Sequence, residues 1–201
     1  MRRFLILAVC GLALTACVSR QVDLAYSPSA PVALNRGAAA AAGPTIVVGR
    51  FVDQRGEPAN WLGAIRGGFG NPVKTLTTPT PVNEVVRKGF EDGLAARHLL
   101  STEGTAAYTL TGVVRTFDCT QAARREANAD VSISLVDNST GRTVFSRDVQ
   151  DNVVSGSPFT LATGAFGSVD ELGKVAAQAL REVVDKALDD PGFRTAVKGK
   201  P

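Results

Sequence analysis

The chain has 201 residues, 44% hydrophobic and 20% charged, with a formal net charge of +3, three cysteines, one histidine and one tryptophan. That length holds one domain with a tail, and the composition is too apolar for a wholly disordered chain and too weakly basic to imply a nucleic-acid partner. Three cysteines do not make a disulfide-dense scaffold, and a single histidine argues against multi-histidine metal sites.

The first twenty residues carry an export label. Arg2 and Arg3 form a basic start, and an uncharged stretch, FLILAVCGLAL, runs from Phe4 to Leu14. A membrane-spanning helix needs about 20 apolar residues, so this stretch is too short to cross stably. A basic head, a short apolar stretch and small residues after it describe a secretory signal peptide over residues 1–16. Its ending, Leu14-Thr15-Ala16-Cys17, resembles the lipobox of bacterial lipoproteins. That resemblance implies a diacylglyceryl group on the Cys17 thiol, cleavage before Cys17, and acylation of the new amino group by a fatty acid such as palmitate. Two or more acyl chains make a stable membrane anchor where one does not. The alternative is an ordinary secreted protein whose Cys17 merely sits near the cut. Cys10 leaves with the signal. Val18 and Ser19 follow Cys17, and the absence of an aspartate there favours the outer membrane, with the domain facing the periplasm, over inner-membrane anchoring.

Residues 17–44 read as the lipidated cysteine and a flexible tether. They contain Tyr26-Ser27-Pro28-Ser29-Ala30-Pro31 and an alanine run closed by Gly43-Pro44. As a coil this tether spans about 30 Å, and fully extended about 90 Å. A second reading keeps part of it on the domain, because Val22-Asp23-Leu24-Ala25-Tyr26 alternates in polarity like a strand.

Residues 45–201 read as a single α+β periplasmic domain. Ile46, Val47, Val48, Phe51 and Val52 form a β-branched run that suits a central strand. Residues 53–72 are rich in glycine and turn formers and are expected to be a long loop. Residues 81–98 carry Val82, Val85, Val86, Phe90 and Leu94 at helical spacing, with Pro81 in the first turn and Thr80 as N-cap. Residues 108–117 read as a strand. Residues 129–136 and 143–149 read as an antiparallel hairpin about the turn Asp137-Asn138-Ser139-Thr140-Gly141. Residues 169–188 form a helix with one continuous apolar stripe, Ser168 and Glu171 supplying a capping box. Pro191-Gly192 ends it and leaves a solvated basic tail. The expected fold is α+β: a mixed or mainly antiparallel sheet of about four strands, with two helices packed on one face.

Candidate chemistry is sparse. His98 ends the first helix, where an imidazole suits the helix C-terminus without a catalytic role. Cys119, the remaining thiol after processing, is either buried or paired between chains. The stretch Gly63-Ala64-Ile65-Arg66-Gly67-Gly68-Phe69-Gly70 lacks the ending of a phosphate-binding loop and reads as a flexible loop. Asp53, Arg55, Trp61 and Arg66 offer a partner-recognition surface, with a local ion pair and a packed tryptophan as the equal alternative. Acidic residues are scattered without a metal-ligand pattern. No catalytic residue, cofactor or metal is expected, and the chain reads as no enzyme.

Several short motifs converge: LTAC, then Leu24-Ala25-Tyr26-Ser27-Pro28, then Val48-Gly49-Arg50-Phe51-Val52-Asp53-Gln54-Arg55. Leu62-Gly63-Ala64-Ile65-Arg66, Gly70, and Pro81-Val82-Asn83-Glu84-Val85-Val86 leading to Gly93-Leu94 follow. Together they resemble the YajG-type family of Gram-negative lipoproteins, whose biochemical role is largely unknown. The resemblance implies a lipid-anchored periplasmic domain and supplies no catalytic residues. The function expected is a non-enzymatic accessory or binding module for an envelope protein partner, tied to the membrane by its N-terminal lipid. The alternative is an auxiliary lipoprotein of a lipid or small-molecule transport system, with an apolar groove between helix and sheet.

Overall fold

A computed structural model of the chain describes residues 18–29, 45–101, 106–156 and 167–198. The signal segment, Cys17 and residues 30–44 lie outside the described residues. No helix among those described is long and apolar enough to cross a membrane.

The elements, in chain order, are β1 (Val18–Gln21), β2 (Ile46–Asp53), β3 (Trp61–Arg66), β4 (Pro72–Thr77), α1 (Val82–Ala96), β5 (Tyr108–Gln121), β6 (Arg125–Asp137), β7 (Arg142–Ser155), α2 (Val169–Leu188) and α3 (Pro191–Lys198). The class is α+β as expected, but the sheet is larger than four strands. Seven strands pair in the order β1-β4-β3-β5-β6-β7, with β2 also on β5, and three helices accompany them.

β5 organises the sheet. On one side it pairs antiparallel with β6 along its whole length. On the other it takes two shorter strands end to end, β2 against residues 108–114 and β3 against residues 119–121, both parallel. A register shift between Val114 and Thr116 puts one extra residue into β5. Without it, Phe117 and Cys119 would turn to the face opposite Leu110 and Val114, because strand side chains alternate with period two. With it, all four are buried on the helix side.

The helices cover that same face: α1 packs on β2 and β5, α2 on β5, β6 and β7, and α3 on β7. Glycines set how close they come. A Cβ on Gly89 would lie 2.9 Å from Leu180 Cδ1, one on Gly93 2.6 Å from Val184 Cγ1, and one on Gly112 2.3 Å from the Phe51 ring. The interface between helices and sheet is filled, with Phe51, Phe90, Leu94, Leu110, Leu180 and Val184 wholly inaccessible.

The α2 bounds are those read from the apolar stripe, and the Ser168 hydroxyl accepts the Glu171 N–H at its N-terminus. The Glu171 carboxylate bonds Lys174 Nζ, 2.6 Å away. The β6–β7 hairpin also forms, longer than expected at both ends.

Four expectations change. Residues 53–72 are not one loop, since β3 lies within them and β4 begins at their end. β3 is buried from Leu62 through Ile65, so it shows no alternation, and Gly63 disguises it further. That glycine is obligatory, because a Cβ there would sit 1.9 Å from the Cys119 carbonyl oxygen. Pro81, not Thr80, is the N-cap of α1, in extended backbone and with no side-chain cap; the Ala59 carbonyl accepts the Val82 N–H instead. The basic tail forms α3, opened by Pro191 at its first position. Its first N–H groups donate to the Asp190 carboxylate, and Phe193 and Val197 are buried. Finally, residues 18–29 are docked rather than tethering. β1 runs parallel to β4, Val22 N–H donates to the Thr77 carbonyl, and Leu24 enters the core. Part of the arm is docked, but its strand is Val18–Gln21 and not residues 22–26; Val22, Leu24 and Tyr26 follow it outside any strand and share a side that contacts the domain.

Candidate functional site

Three groups of polar side chains stand out once the sheet is laid out. The first is at the junction of β2 and β3. Because these strands meet β5 end to end, the edge of β5 between Val114 and Cys119 has no strand beside it among the described residues. Arg55 fills the gap. Its side chain is 2% exposed and forms a forked pair with Asp53, Nε to Oδ1 at 3.0 Å and Nη2 to Oδ2 at 2.9 Å. Nη1 donates to the carbonyls of Trp61 at 2.8 Å and Phe117 at 3.2 Å, and Nη2 to that of Ala59 at 3.1 Å. Burial opposes ionisation of Asp53, but the Arg55 hydrogen bonds and charge outweigh it and hold the carboxyl below its ordinary value.

The structure thus brings Asp53, Arg55 and Trp61 together, with the guanidinium spent on internal oxygens. Arg66 stands apart. It is five residues along β3 from Trp61, about 16 Å away at the usual strand rise, and donates to the Gly70 carbonyl and Thr120 Oγ1.

The second group clamps the N-terminal arm. Arg97, just past α1 and 7% exposed, donates through Nη2 to Asp185 at 3.0 Å and to Asp189 at 2.8 Å. Its Nη1 reaches the Tyr26 hydroxyl at 3.1 Å, and that hydroxyl donates to Asp185 Oδ1 at 2.5 Å. Ser29 adds its N–H and its hydroxyl to Asp185 Oδ2. Burial, then the bond to Asp185, pushes the Tyr26 phenol up to about 12. Burial works against ionised Asp185, but Tyr26, Arg97 and Ser29 together hold its carboxyl below the ordinary value. Every charge in the cluster is answered inside it. Sequence reading missed this group, because its members come from positions 26, 97 and 185; the polar Asp185 amid the apolar stripe of α2 was the available signal.

The third group is the sheet face away from the helices. Ser134 and Ser146 hydrogen-bond across β6 and β7, Ser132 donates to Asp148, and Arg115 bridges Asp130 and Asp148. Gln150 donates to Asp130, and Asn152 to Asn128, which donates to Asp118. This polar ladder floors an open depression of about 510 Å³, lined by Thr116, Asn128, Asp130, Gln150 and Asn152.

The remaining candidates have structural surroundings. Cys119 is 1% exposed, and burial, helped by the charge of Asp118, pushes its thiol up to about 12. His98 adopts a left-handed backbone (φ 55°) at the end of α1, where Leu99 N–H returns to the Leu94 carbonyl, a helix stop usually made by glycine. Among the described residues no three histidine, cysteine or carboxylate side chains gather as a metal site.

Fold and surface together define an α+β domain, helices on one face of a mixed sheet and a polar ladder on the other. No family model and no curated protein matches the sequence. The solved structures similar to it include a Xanthomonas campestris protein described by the DUF330 family model. It is 15% identical, covering 90% of this chain and 96% of that one, with a TM-score of 0.59. An uncharacterised protein is 10% identical over 86% of this chain and 97% of its own, with a TM-score of 0.53. A candidate lipoprotein from Caulobacter crescentus is 21% identical over 59% of this chain and 85% of its own, with a TM-score of 0.43. The first two share the fold. None of these comparisons confirms the YajG-type assignment.

Proposed function

We propose that the chain is a lipid-anchored envelope lipoprotein, held through Cys17 at the outer membrane, that acts without catalysis as an accessory module for an envelope protein. The observation that carries this reading is the division of labour on the sheet. One face is closed by helices to full packing, while the other, free of helices among the described residues, holds side chains whose hydrogen-bonding groups face outward. Because these side chains already hold one another in place, they offer hydrogen-bonding groups to another folded surface at a low cost in ordering. The lipobox supports the anchor, and the docked arm brings the anchor point close to the domain. The filled helix–sheet interface speaks for this reading over a lipid-carrying groove.

Mass spectrometry of the N-terminal peptide from membranes tests the anchor. The expected species begins at Cys17 and carries three acyl chains; a soluble, unacylated chain overturns it. A photo-crosslinking residue in place of Asn152 tests the face. A defined adduct with an envelope protein is expected there and not from Lys88, exposed on α1; equal labelling from both sites overturns the assignment.

A further inference from the structure

The end of the sheet at which β1 begins, with Val18, carries surface used neither by the core nor by the polar ladder. Strand register identifies what shares that end. Val18 lies opposite Lys74, close to the start of β4, so the β3–β4 turn at residues 67–71 projects beside it. Ile65 lies opposite Gln121 and Gln121 opposite Arg125, so the β5–β6 turn projects the same way. β7 also finishes here, with Ser155 opposite Arg125.

In the β3–β4 turn Phe69 is fully exposed, at 102%, among Gly67, Gly68 and Gly70. The other exposed large hydrophobics among the described residues are valines, and Val154 lies at this same end. The charge at this end is in cationic excess. Arg66, Lys74, Arg124, Arg125 and Lys174 stand against Glu126, Asp170 and Glu171, with Glu126 and Glu171 paired to Arg124 and Lys174, and among the described residues Arg66, at the base of the turn, bonds neutral oxygens.

We propose that this end of the sheet docks on an anionic bilayer surface, with Phe69 among the upper acyl chains and Arg66 at the lipid phosphates. The proposal rests on the anchored reading above. If Cys17 is acylated, a single peptide link, about 3.8 Å between Cα atoms, joins the lipidated residue to a strand already paired in the sheet. Whatever projects beside Val18 is then held at the headgroups, where an apolar side chain enters by about 5–10 Å and cations meet phosphate. The acyl chains and the Phe69 turn make two points of attachment, which set the orientation of the domain as well as its location.

The acylated protein with Phe69→Trp, reconstituted in phosphatidylethanolamine–phosphatidylglycerol vesicles, tests this. Phe69 contacts solvent, so the substitution leaves the core alone. Trp61, the natural tryptophan at the other end of β3, is the internal control. Emission from the introduced indole is expected to shift to the blue and to be quenched by brominated acyl chains, with Trp61 unaffected in the parent protein. Solvent-like, unquenched emission from the introduced indole, in a chain whose mass shows acylated Cys17, overturns the docking alone. An unacylated mature chain overturns the anchored reading and the docking with it. A blue shift that grows with protein concentration in detergent, without vesicles, assigns the turn to a second copy and overturns the bilayer.

Discussion

The Tyr26 hydroxyl donates to Asp185 Oδ1 at 2.5 Å, joining two residues 159 positions apart and fastening the N-terminal arm to the last turn of α2. The arm on its way there crosses α2 at Gly173, where a Cβ would come within 2.7 Å of Val22 Cγ1. Arm and helix are therefore fitted at two places, one by hydrogen bonding and one by the absence of a side chain.

Tyr26→Phe removes the hydroxyl and leaves Asp185 short of a donor. A hydrogen bond to a charged group contributes about 2 kcal/mol, so Tm is expected to fall by about 5 °C. Hydrogen exchange at the Val22 amide, bonded to Thr77, is expected to quicken; an unchanged exchange rate would show that the arm holds without this bond.

Acid weakens the fold through this cluster and through the Asp53–Arg55 pair. Asp53, Asp185 and Asp189 are each held below the ordinary carboxylate value despite burial, so the unfolded chain takes up protons more readily than the native one. Their stabilisation is complete above the ordinary carboxylate range and is lost as pH falls through the lowered native values. Urea midpoints are expected to be level near neutrality and to drop below about pH 4, with a shallower drop in Asp185→Asn.

Arg55 is a structural residue on this geometry. Arg55→Ala leaves the Asp53 carboxylate and the Trp61 and Phe117 carbonyls without their donor, at a cost of about 3 kcal/mol. Arg55→Lys is expected to recover little, because an ammonium cannot reproduce the fork on Asp53 while reaching both carbonyls. Chemical denaturation of the two variants checks this.

Gly63→Ala is expected to be worse than an ordinary glycine substitution in a strand. The new methyl meets the Cys119 carbonyl, a backbone atom that cannot swing aside. Separation of β3 from β5, seen as lost amide protection at residues 119–121 and a fall of about 3 kcal/mol in stability, is the expected outcome.

The Cys119 thiol, inaccessible and pushed up to about 12, has almost no thiolate near neutral pH. Alkylation of the folded chain is expected to be slower than that of a free thiol by at least about a thousandfold, and to reach the free rate in denaturant. Fast labelling in native buffer would show that the thiol is reached by local opening. The burial also favours the interior reading of this cysteine over pairing between chains.

The helix α2 and the β6–β7 hairpin were legible because their signals are local. A stripe from Leu172 to Ala187 and an alternation from Ala129 to Val136 each require only that one face be buried. The strand β3 was hidden for the opposite reason: with Leu62 through Ile65 all buried, no period survives, and its glycine answers to a neighbour 56 residues away. α3 was too short for a periodic signal, though Asp190 before Pro191 already carried the marks of a helix start.

By itself the sequence determined the α+β class and the amphipathic elements, since apolar periods are properties of adjacent residues. Only the tertiary structure decided that Asp53 and Arg55 form an internal brace, that Arg66 belongs to the far end of β3, and that residues 18–29 close onto α2 instead of spanning away from it. Each of those outcomes depends on which strands lie side by side, and strand order is chosen by burial summed over the whole core. A guanidinium at position 55 has the same chemistry on a surface or in a gap, and its neighbours across the sheet make it a brace.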